Sequence, residues 1–99
     1  MIRHVVSWRV RPESTEGKAE AVSAIAAALE PLVGVIPGLQ SLIVRPNVAY
    51  HDDNWDVVLV ADFDSVEALV AYQEHPAHQV AGDVPRSLAT EKATVDFEV

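Results

Sequence analysis

Seven consecutive residues, Tyr72-Gln73-Glu74-His75-Pro76-Ala77-His78, bring a phenol and two imidazoles together around a proline. An imidazole changes charge near neutral pH and can take a proton from a carbon next to a carbonyl. A tyrosine hydroxyl can then donate a hydrogen bond to the enolate or alkoxide that forms. His78 is the candidate general base and Tyr72 its hydrogen-bonding partner. The structural alternative for His78 is that it ties down the chain after the helix break at Pro76. His75 precedes the proline, is driven out of α geometry, and can cap the helix before it. A fourth ring, His4, lies far upstream on an apolar strand face, where a lone histidine is either a core residue with satisfied nitrogens or a polar group of a pocket.

Other chemistries find less support. His4, His75 and His78 come without a placed carboxylate, so no metal site is expected. The His51-Asp52-Asp53-Asn54 run lacks the length and glycine placement of a calcium loop and reads as a solvated hairpin tip. No nucleophile-elbow pattern accompanies any serine, and Ser7 faces away from His78. With no cysteine, disulfides, thiolate nucleophiles and Cys-based zinc sites drop out. No cofactor is expected.

The composition is that of one globular domain, 49% hydrophobic and 22% charged over 99 residues. Seven basic against fifteen acidic residues give a net charge of -8, which would repel a phosphate backbone, so nucleic acid is not an expected partner. No apolar run has the length of a membrane span, and Met1-Ile2-Arg3-His4 leads straight into a strand pattern, so no signal peptide is expected. A cytoplasmic protein is the expectation.

The elements that must hold these side chains follow from periodicity. Ile2 to Val10 alternates, with Ile2, His4, Val6, Trp8 and Val10 on one face and Arg3, Val5, Ser7 and Arg9 on the other. Ser14 or Thr15 opens a helix whose stripe is Val22, Ile25, Leu29 and Leu32. Pro31 should loosen its last turn, and Ile36-Pro37-Gly38 ends it. Leu39–Arg45 reads as a second strand, and Trp55–Phe63, apolar on both faces, as a third and central one. Asp64 with Glu67 predicts a capping box for a helix carrying Val66, Leu69 and Tyr72 on one side. Pro76 starts a short helix that loses regularity near Pro85. Lys92–Val99 is the last strand, with Ala93, Val95, Phe97 and Val99 expected inward and Thr94, Asp96 and Glu98 outward.

The order βαββαβ is that of an α+β, ferredoxin-like unit, a four-stranded antiparallel sheet with helices on one face. Nothing is left in the chain to cover the other face, which carries Val5, Ile43, Val58 and Val60. A second copy is the economical cover, so a homodimer is expected.

Three motifs taken together, Ile2-Arg3-His4-Val5-Val6, Ile36-Pro37-Gly38 and Tyr72…His75-Pro76-Ala77-His78, resemble the Dabb family of stress-responsive α/β-barrel domains over the whole chain. The resemblance implies a ferredoxin-like protomer pairing sheet to sheet into a dimeric α/β barrel. The run His75-Pro76-Ala77-His78, Gly82-Asp83-Val84 and Arg86-Ser87 is most similar to the olivetolic acid cyclase branch, whose members close linear polyketides by aldol condensation. That likeness implies His78 as base, Tyr72 as its helper and His4 in the same pocket. The chain departs from the branch at Val57, where it has a pocket histidine, and at Pro85, where it has a tyrosine. The expected substrate contacts are His4, His75, Val57 and Leu59, on an apolar or polyketide-like ligand. The alternative is a non-catalytic dimer that binds a small ligand or serves as a stress-associated structural protein. Heme or oxygen chemistry, found in other dimeric α/β-barrel families, has no proximal-ligand pattern here.

Overall fold

Strand β1 (Ile2–Val10) lies at the centre of the sheet because its two neighbours differ in sequence distance but match it in alternation. In a computed structural model that describes all 99 residues, β1 pairs antiparallel with β3 (Val57–Phe63) on one side and with β4 (Ala89–Glu98) on the other. β2 (Leu39–Pro46) closes the far edge against β3, giving the order β2-β3-β1-β4. This is the ferredoxin-like βαββαβ arrangement. No helix is long and apolar enough to cross a membrane.

Helix α1 (Thr15–Leu29) begins where the Gly17 amide donates to the Ser14 side chain. Its stripe Val22, Ile25, Leu29 and Leu32 is buried against the sheet. Pro31 converts the last turn into a short 3-10 segment, Glu30–Leu32. The chain then turns at Gly38, with φ +84°, where an added Cβ would stand 2.7 Å from the Ala68 Cβ of the next helix. Glycine is needed there twice over, for the left-handed backbone and for the close approach.

Five expectations are corrected. β3 starts at Val57 and not at Trp55, because the Asp56 carboxylate accepts from the Val10 amide and the Lys18 ammonium and ends the ladder. Helix α2 (Val66–Glu74) is capped by Ser65, which accepts from the Ala68 amide. Asp64 instead accepts from Gln40. Leu69 and Tyr72 are buried, while Val66, one turn earlier, stands in solvent. After Pro76 there are two short helices, α3 (Pro76–Ala81) and α4 (Asp83–Leu88), and Pro85 sits in the first turn of α4, where a missing amide proton leaves no hydrogen bond unmade.

The fifth correction matters most. β4 begins at Ala89, and its register sets Val5 opposite Val95, Arg3 opposite Phe97 and His4 opposite Asp96. Residues directly opposite in an antiparallel pair share a face. Val95 and Phe97 therefore join Val5, Ile43, Val58 and Val60 on the helix-free face, exposed at 65% and 45%. Val99 is exposed as well. Lys92, Thr94 and Asp96 turn toward the helices. Alternation separates the two faces of an edge strand but does not say which one meets the core.

Candidate functional site

Tyr72 closes the buried side of α2, and the backbone break after it controls what comes next. The His75 amide donates to the Tyr72 carbonyl to finish α2, and His75 Nδ1 accepts from the Ala77 amide to start α3. His75 thus caps α2 with its backbone amide and α3 with its imidazole. The turn it makes brings His78, one turn into α3, back against Tyr72. Their ring centroids lie 4.2 Å apart, with the planes tilted by 42°.

On the sheet side, His4 projects from β1 under the same tyrosine, 6.4 Å away and edge-on at 66°. Phe63 completes the cluster, 4.9 Å from Tyr72 and 6.2 Å from His4. His4, Tyr72 and His78 line one cavity of about 330 Å³, together with Val6, Trp8, Leu29 and Leu59. Its other wall is Arg86, Lys92 and Thr94 from α4 and β4.

Of the residues expected from sequence to form the site, His4, Leu59, Tyr72 and His78 come together. His75 and Val57 do not line this cavity. His75 is committed to its caps, and Val57 is buried nearer the Trp55 end of the sheet. Asp96 is the residue that sequence reasoning missed. Its carboxylate lies 2.5 Å from His4 Nδ1. The signal was present in the β1–β4 register, which the sequence alone leaves open.

The protonation of these groups follows from their partners. His78 Nδ1 lies 3.3 Å from the Gln73 carbonyl, which can only accept, so Nδ1 carries the hydrogen and Nε2 keeps a free lone pair. Burial disfavours the imidazolium and lowers the His78 pKa, the Gln73 carbonyl partly opposes this, and Arg86, His4 and Lys92 add to the lowering. Tyr72 is pushed up to about 12 by burial, so its phenol stays protonated and is a donor. No internal hydrogen bond engages that hydroxyl and no buried polar atom lacks a partner, so the oxygen must reach the cavity space. At His4 the Asp96 carboxylate accepts from Nδ1, which sets the tautomer and aim of the ring. No group of three or more His, Asp or Glu side chains is arranged to hold a metal ion.

A neutral imidazole, a phenolic donor and a carboxylate-braced second histidine on one cavity can move a proton beside a carbonyl. The same fold has been seen before. The family model of the stress responsive A/B barrel domain, Dabb, matches residues 2–99. This chain belongs to the Dabb family. Among solved structures it is similar to a dimeric ferredoxin-like protein of unknown function from Bacteroides fragilis, at 25% identity and a TM-score of 0.86, over 99% of this chain and 95% of that one. It is also similar to a dimeric ferredoxin-like protein of unknown function from Thermobifida fusca, at 28% identity and a TM-score of 0.81, over 99% and 90% of the two chains. A hydroxynitrile lyase from Passiflora edulis shares the fold at 13% identity and a TM-score of 0.81, over 99% and 92%. No curated protein matches by sequence.

Proposed function

We propose that this Dabb protein is a cofactor-free acid/base enzyme acting next to a carbonyl, of the kind that closes a polyketide-like chain by aldol condensation. The observation that carries the reading is the packing of the Tyr72 ring on the His78 ring at the wall of a cavity. His78 Nε2 takes the proton from the carbon between two carbonyls. Tyr72 donates to the enolate oxygen, and after ring closure to the new alkoxide, which takes the proton back from His78. His4, braced by Asp96, supplies a second polar contact to the carbonyl chain. Leu59, Val6 and Leu29 hold the apolar part of the substrate and keep water away from the enolate.

The working unit in this proposal is a homodimer. Val5, Ile43, Val58, Val60, Val95 and Phe97 make an apolar band across the helix-free face, and an exposed apolar band of this kind favours a partner. The related structures from Bacteroides fragilis and Thermobifida fusca are described as dimeric. Two sheets face to face make the barrel.

The test is turnover of a linear poly-β-keto thioester, or of its free acid, by the wild-type protein and by His78→Ala. Loss of product in the folded variant supports the reading. Equal turnover by both removes His78 as the base. A wild type that binds the compound without converting it favours the alternative of a small-ligand-binding dimer.

A further inference from the structure

We propose that the cavity selects a ligand bearing a carboxylate, and that Lys92 is the residue that recognises the charge. This rests on the reading above that the cavity receives a small carbonyl compound, and adds what that compound must carry.

Seven basic side chains are set among fifteen acidic ones. Arg3, Arg9, Lys18, Arg45 and Arg86 pair with Asp62, Glu91, Asp56, Glu30 and Asp83. Arg11 donates to the Ser87 carbonyl. Lys92 alone makes neither an ion pair nor a hydrogen bond, and it stands in the cavity wall. In a chain of net charge -8, a cation left without any partner is the exception.

Its neighbours explain why no internal carboxylate reaches it. Glu91 is turned to Arg9 at 3.4 Å. Asp96 is held by His4. Arg86, the other cation of the wall, donates to the Gln79 carbonyl and to Asp83, each at 2.7 Å, and staples α3 to α4. The register sets Lys92 opposite Trp8, on the same face as Thr94 and Asp96. Alternate residues of a strand are about 6.6 Å apart, so Lys92 and the carboxylate-braced His4 mark two ends of one track along the cavity floor. The field of Lys92 also reaches the base, since it contributes, after burial and together with Arg86 and His4, to the lowered His78 pKa. A carboxylate held at Lys92 would lie at one end of the track, with its apolar body over Trp8 and Leu59 and its carbonyl carbons beside His78.

The test uses two ligands of one shape, salicylate and its neutral amide salicylamide, titrated calorimetrically into the full-length protein. The expected result is that wild type binds salicylate about two- to fivefold more tightly than salicylamide, the range of an exposed charge-assisted contact. Lys92→Gln should abolish the difference and Lys92→Arg should keep it. The difference should also shrink at about 1 M salt, where the screening length falls to about 3 Å. Lys92 is exposed on an edge strand, so its variants should fold, which circular dichroism checks. Equal binding of the two ligands by wild type, or an undiminished preference in Lys92→Gln, overturns charge selection while leaving the cavity reading in place. Failure of wild type to bind either ligand overturns both.

Discussion

The ring of Tyr72, at the end of one helix, lies 4.2 Å from the ring of His78 in the next. Only the break between them, Pro76 flanked by the capping imidazole of His75, lets two residues six positions apart meet face to face. In an unbroken helix they would project about 120° apart around the axis.

His78→Ala should fold and lose turnover. The wild-type rate should rise with pH through a midpoint below the ordinary histidine value of about 6.5, because burial lowers the His78 pKa and only the neutral ring accepts a proton. The same shift bears on stability. Between the folded and unfolded pKa values the unfolded chain binds more protons, so this group's contribution is full above about pH 6.5 and declines as pH falls toward the folded value. Rate–pH profiles and urea melts at several pH values check both directions.

Tyr72→Phe removes one hydroxyl and no packing. A well-placed oxyanion donor is worth about 10²–10³ in rate, and a loss of that size with unchanged circular dichroism is expected. Because the phenol titrates only near 12, the wild-type profile should show no tyrosine limb below about pH 10. A limb near neutrality would contradict the donor role.

Asp96→Ala leaves His4 Nδ1, on a ring nearly shut off from water, without its acceptor. An orphaned buried donor costs about 1–3 kcal/mol, readable by urea denaturation. Nitrogen NMR should show His4 protonated at Nδ1 in wild type and a mixture of tautomers in the variant.

Val58→Lys puts an ammonium in the middle of the helix-free face, against Ser7 and Arg45 on the neighbouring strands. Burying it unpaired in a sheet-to-sheet interface would cost several kcal/mol, so light scattering should find wild-type dimers and variant monomers. A wild type that is monomeric at micromolar concentration would count against the barrel.

Gly34 and Gly38 both hold positive φ, but only Gly38 has a neighbour in the way of a Cβ. Gly34→Ala should cost about 1–2 kcal/mol for the backbone alone. Gly38→Ala should cost about 1–3 kcal/mol more, for displacing Ala68 and with it α2. The difference between the two melts measures how firmly α2 is seated.

The order of elements, the central place of β3, the helix stripe from Val22 to Leu32 and the break at Pro76 were legible in the sequence by itself, because each is written in local periodicity or in the geometry of one residue. The sequence also singled out Tyr72, His78 and His4. It misassigned the cap of α2, since Asp64 and Ser65 are both good caps and only the path of the chain out of β3 chooses between them. Tertiary structure alone decided the facing of β4. Its residues alternate apolar and polar, and both sheet faces have a use for the apolar set. The pairing of His4 with Asp96 settles the choice, because a register shift of one residue would point Asp96 outward and leave the buried His4 ring without its partner. That one register places the carboxylate behind His4, Lys92 in the cavity wall, and Val95 and Phe97 on the helix-free face.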